Sequence, residues 1–136
     1  MNERQSILEI STSAFKHNIE EIKKIIGLNK DIMYVMKANS YGTYLNKNIS
    51  LIKDFKIIAT AIVKEAVELR ELGFENEIFV LNQPYLEDID NVVKYNVTIG
   101  IASLSFLEQL SKLKSNFTIH LELETGMGRT GFNIAD

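Results

Sequence analysis

The residue best placed to do chemistry is a lysine. In Tyr34-Val35-Met36-Lys37-Ala38-Asn39-Ser40-Tyr41-Gly42, a β-prone apolar run ends in Lys37 and passes into a polar turn containing a glycine. That order puts a single amine at the carboxyl end of a buried strand, where α/β sheets and barrels keep their ligands. Val35 and Met36 would partly desolvate it. Desolvation disfavours an ammonium ion and makes the amine a usable nucleophile toward an aldehyde. The competing reading is a lysine that snorkels out of a strand end.

A second set of polar groups lies near the other end of the chain. In Phe117-Thr118-Ile119-His120-Leu121-Glu122-Leu123-Glu124-Thr125, apolar and polar residues alternate. Side chains in a strand alternate faces, so Phe117, Ile119, Leu121 and Leu123 should pack on helices while Thr118, His120, Glu122 and Glu124 share the opposite face. In a barrel that polar face would line the active-site mouth; an edge strand with one wetted face is the alternative.

The elements that must position these groups repeat. Apolar strand-like runs start near Ile32, Ile57, Ile78, Val97 and Phe117, and the spacing is that of compact βα units. Between them lie helical patterns: a short one with Ile49 and Ile52, and a longer one with Ala66, Val67, Leu69 and Leu72 that stops at Gly73. Leu86, Ile89, Val92 and Val93 follow Pro84, and Leu104, Leu107, Leu110 and Leu113 complete the set. Strands alternating with helices imply parallel strands joined by right-handed crossovers. Such units build either part of a (β/α)8 barrel or an open doubly wound sheet. Before them, Ile7, Leu8 and Ile10 read as a short strand, and Ser11-Thr12-Ser13 offers N-caps for a helix bearing Phe15, Ile19, Ile22 and Ile26 up to Gly27. His17, among polar neighbours on that helix, reads as surface.

Composition narrows the classes. A formal net charge of -3 gives no argument for nucleic-acid binding, and without cysteine there is neither a disulfide framework nor a thiolate metal site. Met1-Asn2-Glu3-Arg4-Gln5 lacks the apolar core of a signal peptide, and no apolar run is long enough to span a bilayer. The expectation is a cytoplasmic protein without membrane contact. A full barrel needs eight strands and about 250 residues; 136 residues imply an open sheet or part of something longer.

Two segments carry a family resemblance. Val35-Met36-Lys37-Ala38-Asn39-Ser40-Tyr41-Gly42 resembles the cofactor-attachment segment of bacterial alanine racemases. His120-Leu121-Glu122-Leu123-Glu124-Thr125-Gly126-Met127-Gly128-Arg129-Thr130-Gly131-Phe132 resembles the second signature of that family, and Lys64-Glu65-Ala66-Val67-Glu68-Leu69-Arg70 falls between them in register. The resemblance implies about five βα units of a partial (β/α)8 (TIM-type) barrel over residues 12–136. Residues 1–11 would form a strand pairing with a C-terminal β-domain outside the chain. It also implies a pyridoxal 5'-phosphate-dependent, homodimeric isomerase that interconverts L- and D-alanine for cell-wall precursor supply, with no metal.

Residue by residue, the resemblance makes Lys37 the Schiff-base lysine and one of two acid/base groups. Tyr41 would lie by the cofactor phosphate. Arg129 would bond the cofactor's phenolic oxygen and help hold the substrate carboxylate. Glu122 stands where many members carry a carbamylated lysine and would be the supporting anion. Two further departures are Ser40, where the family has Gly or Ala, and Thr43-Tyr44, where it has His-Gly. The second acid/base group would be a tyrosine of a partner subunit's C-terminal domain, so these residues alone are expected to be inactive. The other readings are a non-catalytic pyridoxal-phosphate binder or structural domain of the same fold, and a decarboxylase of that fold.

Overall fold

The computed structural model describes residues 6–27 and 29–133. Five strands, β1 (Met33–Val35), β2 (Ile57–Thr60), β3 (Glu77–Val80), β4 (Thr98–Ile101) and β5 (Ile119–Leu121), form one sheet in sequence order. Every neighbouring pair is parallel. Among the described residues, five right-handed helices accompany them: α1 (Thr12–Ile26), α2 (Ile49–Ile52), α3 (Val63–Glu71), α4 (Ile89–Lys94) and α5 (Leu104–Ser111). Short 3₁₀ turns cover Leu45–Lys47 and Leu86–Asp88. This is the expected succession of βα units, curled as part of a barrel.

The register separates the two faces. Ile58 pairs with Ile78, Val80 with Ile99, and Ile99 with Ile119, so these residues share the helix-covered face. Ile58, Ile78, Val80, Ile99 and Ile101 are all fully buried there, each worth roughly 1.5–3 kcal/mol relative to exposure. Helix α3 contributes Val63, Ala66 and Leu69 to this core. Helix α1 is capped by the Ser11 hydroxyl, which accepts from the Ala14 N–H at 3.2 Å. It docks more lightly, through Phe15 packed edge-on against Tyr34, 5.6 Å between ring centres, and against Phe55.

Ile7 to Ile10 join no ladder among the described residues, and Ile7, Leu8 and Ile10 are exposed; the partner expected for them is a domain outside this chain. Residues 1–5 and 134–136 of the expected domains lie outside the described residues. Two expectations need correction. In α5 the buried residues are Phe106 and Leu110, while Leu104 and Leu113 are exposed; strict three-residue spacing drifts around a helix of 3.6 residues per turn. On β5, Phe117 and Ile119 pack against the core as expected, but Leu121 and Leu123 are 57% and 59% exposed. The start of the strand meets the core cluster, and its end does not.

Candidate functional site at the carboxyl ends of the strands

Lys37 leaves the sheet abruptly. Met36 is buried and still donates its N–H to the Ala59 carbonyl at 2.8 Å. Ala38, Asn39, Ser40 and Tyr41 then all take positive φ, between 50° and 55°, and form one left-handed turn. Gly42 and Tyr44 follow at φ 80° and 56°. Left-handed helical geometry costs a non-glycine residue roughly 1–2 kcal/mol, and strain of this kind concentrates where function needs it. Local hydrogen bonds offset part of the cost: Gly42 N–H to Ala38 O at 3.0 Å, and Thr43 hydroxyl to Ser40 O at 2.6 Å. Ser40 is buried, and its hydroxyl accepts from the Asn46 N–H at 3.0 Å. Tyr44 keeps a conformation that glycine would adopt freely.

A carboxylate ties this turn to the next unit. Glu65, in the first turn of α3, accepts the Ala38 N–H at 2.7 Å and the Ala61 N–H at 2.8 Å. Sequence reasoning gave it no role. A glutamate at the third position of a helix was the available signal, because such residues commonly reach back to free N–H groups at the helix start.

The far wall is β5 and the glycine-rich loop after it. The loop folds back onto its own strand, with Phe132 N–H donating to Glu122 O and Glu124 N–H to Phe132 O, both at 2.8 Å. This return requires glycine at 131: φ is 117°, and a Cβ there would lie 2.7 Å from the Glu124 nitrogen. The Glu124 carboxylate organises the loop, accepting N–H groups from Gly126, from Gly128 at 2.8 Å and from Arg129 at 3.1 Å. Those bonds, Gly128's and then Gly126's foremost, hold its pKa below the ordinary value. Sequence reasoning placed Glu124 on the polar face and saw no more. An acidic side chain ahead of two closely spaced glycines was the clue it did not use.

Lys37, Glu122 and Arg129 line one cleft of about 390 Å³, together with Phe79, Asn82 and His120. The His120 ring lies against Phe79, 4.4 Å between centres. Tyr41 stands beside the cleft, largely exposed, with the Lys37 Nζ 5.9 Å from its ring centre. Glu122 faces the cleft, but its carboxylate accepts the Thr130 hydroxyl at 2.6 Å. Among the described residues Glu122 and Arg129 form no direct ion pair. A hollow of similar size, about 420 Å³, opens beside α1 among Phe15, Ile19, Leu51 and Phe55. It adjoins Ile32 and Lys56, at the amino ends of the strands. The cleft at Lys37 is the candidate site, because ligands of such folds sit at the carboxyl ends.

The fold and this cleft define a class: a parallel βα domain of barrel type with an amine at the end of its first barrel strand. The family described as alanine racemase, N-terminal domain, matches residues 10–136, and the chain belongs to it. An alanine racemase of Desulforamulus reducens is 35% identical over 130 residues, covering 91% of this chain and 35% of that protein. One from Fusobacterium nucleatum is 33% identical, with 95% and 37% covered. The crystal structure of alanine racemase from E. faecalis superposes with a TM-score of 0.83 at 28% identity, over 90% of this chain and 35% of that one. The chain thus spans about a third of the length of the curated relatives it matches.

Proposed function

We propose that the chain supplies the lysine-bearing part of a pyridoxal-phosphate-dependent racemase that interconverts L- and D-alanine for cell-wall precursor supply, and that it works as a cytoplasmic homodimer. The observation that carries this reading is the meeting of Lys37 and Arg129 in one cleft from distant segments. The donor set suits the cofactor: an amine for its carbonyl, a guanidinium for an anionic oxygen, and a phenol and turn beside them. Lys37, Tyr41 and Arg129 would hold it, and when bound it supplies the electron sink for a carbanion at the substrate α-carbon.

In this reading the chain's own residues divide the work. Lys37 holds and moves a proton at the substrate α-carbon from one face. Arg129 orients the substrate carboxylate, in a geometry suited to paired hydrogen bonds. Glu122 supplies the negative charge that many relatives make by carbamylation, relayed to the loop through the Thr130 hydroxyl. Racemisation also needs a proton on the opposite face, so the 136-residue chain alone is expected to form no D-alanine from L-alanine.

The test is uptake of pyridoxal phosphate by the purified chain, followed by the absorbance of the lysine-bound cofactor. Uptake at Lys37 that Lys37→Ala abolishes is the expected result. Equal uptake by Lys37→Ala would overturn the assignment of Lys37, and D-alanine formed by the chain alone would overturn the division of labour. Glu122→Gln should weaken uptake severalfold, with or without added bicarbonate, since a loss of anion costs a charge-assisted contact. Uptake unchanged by that substitution would remove Glu122 from the site.

A further inference from the structure

Glu65 lies outside the cleft lining yet touches the backbone that carries Lys37. Its two oxygens accept from Ala38 N–H at 2.7 Å and Ala61 N–H at 2.8 Å. Both amides lie just past the ends of adjacent strands, β1 and β2, where the ladder has stopped. Ala38 opens the left-handed turn and Ala61 precedes α3; N–H groups at the start of a helical turn have no partner within it. A carboxylate that meets two of them makes strong, charge-assisted bonds.

The peptide between Lys37 and Ala38 is a single plane. Fixing the direction of the Ala38 N–H therefore fixes ψ of Lys37 and constrains φ of Ala38, observed at +50°. This is the point at which the backbone leaves the strand for the strained turn. Rotation of this plane would redirect the chain that follows, Ser40 and Tyr41 included, and would leave the backbone on the carboxyl side of Lys37 unrestrained. The second anchor, Ala61, itself lines the cleft beside Lys37, so the carboxylate references the lysine to the neighbouring strand rather than to the turn alone.

We propose that Glu65 is a positioning residue for Lys37, holding the peptide after the lysine so that its amine points into the cleft; this rests on the reading of Lys37 as the cofactor's lysine. Glutamine is the informative replacement. It keeps one acceptor oxygen but turns an NH2 toward the second N–H, so one backbone donor loses its partner. Aspartate, one methylene shorter, keeps the charge and should reach only one of the two amides.

The test uses the 136-residue chain and three readouts. In the parent chain the Ala38 and Ala61 amide hydrogens should be protected from exchange with solvent deuterium, because each has the Glu65 carboxylate as its partner. Free exchange at either amide overturns the clamp, and this arm needs no variant to fold. Pyridoxal-phosphate uptake at Lys37 should weaken about tenfold in Glu65→Gln and less in Glu65→Asp, as expected for a misplaced reacting group, while the β3 and β4 amides stay in place. A merely structural role would lower the melting temperature and leave uptake per folded molecule within twofold of the parent, which would defeat the proposal. Should the parent chain itself show no uptake at Lys37, the reading of that lysine fails. Glu65 is then judged on the ¹³C signal of reductively methylated Lys37, assigned with Lys37→Arg. The signal should shift in Glu65→Gln; an unmoved signal counts against the clamp.

Discussion

The two ends of the sheet solve opposite problems with opposite charges. At the amino ends a single guanidinium gathers carbonyls: Arg70 donates to Phe74 O at 2.7 Å, Asn76 O at 2.6 Å, Tyr95 O at 3.0 Å and Asn96 O at 3.2 Å. Asn76 adds bonds to the carbonyls of Lys53 and Phe55. At the carboxyl ends two carboxylates gather N–H groups instead, Glu65 from Ala38 and Ala61, and Glu124 from the glycine-rich loop. The amino end therefore spends its cation on the backbone. The carboxyl end spends anions on the backbone and leaves the cations Lys37 and Arg129 facing a cleft. Backbone strain is divided likewise. Below, the residues with positive φ are Gly27, Gly73 and Asn96, which tolerate it; above, they include Ala38, Ser40, Tyr41 and Tyr44, which do not. One end is built to hold and the other to act.

The largest effect expected from this contrast falls on the holding end. Arg70→Lys retains the charge but replaces a five-donor fork by a point cation, which cannot serve four carbonyls at once. Burial already lowers the pKa of Arg70, so the site tolerates a charged group only with its partners in place. A loss on the order of 3 kcal/mol is expected in urea unfolding, with cofactor uptake per folded molecule unchanged. A loss below about 1 kcal/mol would show the four contacts to be incidental, and a change in uptake would erase the division between the ends.

A smaller effect, of opposite sign, is expected at the acting end. Tyr44 is half exposed at φ 56°, so little burial is lost by removing its side chain. Relief of about 1–2 kcal/mol of left-handed strain, against about 0.5–1 kcal/mol for the added freedom of glycine when unfolded, predicts that Tyr44→Gly stabilises by about 0.5–1 kcal/mol. Urea midpoints read this directly. A destabilised Tyr44→Gly would mean that the tyrosine side chain does work that its exposure does not reveal.

Legibility in the sequence divides along the same line. The strands at Ile57, Ile78 and Val97 were readable because fully buried parallel strands are unbroken apolar runs, and Lys37 was readable because it terminates one. The alternation from Phe117 correctly assigned His120 and Glu122 to the cleft side. The left-handed turn was not readable: Ala38, Asn39, Ser40 and Tyr41 contain no glycine to announce positive φ. Glu65 and Glu124 escaped for another reason. Their partners are backbone N–H groups, which every residue carries, so nothing in the residue types marks the pairing. Thr130, whose hydroxyl meets Glu122, escaped likewise. Its hydroxyl is a short, common group that acquires meaning only once the loop has folded back.

The smallest effect concerns the loop alone. The folded state lowers the pKa of Glu124, through the N–H groups of Gly128 and Gly126 above all. A carboxylate with a lowered folded value stabilises the fold at any pH above its ordinary range, and that contribution fades as pH falls through the lowered value. The carboxylate is exposed, so water and salt screen much of the interaction, and global stability should barely register the titration. The local readout should. The amide resonances of Gly126, Gly128 and Arg129 are expected to shift together, at a midpoint below that of an ordinary glutamate. Glu124→Gln should leave them at neutral pH near the positions that the parent reaches in acid. Arg129 is carried by this loop, so acid should also weaken cofactor uptake without unfolding the sheet, in contrast to Arg70→Lys, which lowers the stability of the sheet without altering uptake per folded molecule. A midpoint at or above the ordinary glutamate range would show that Glu124 follows the loop rather than organises it.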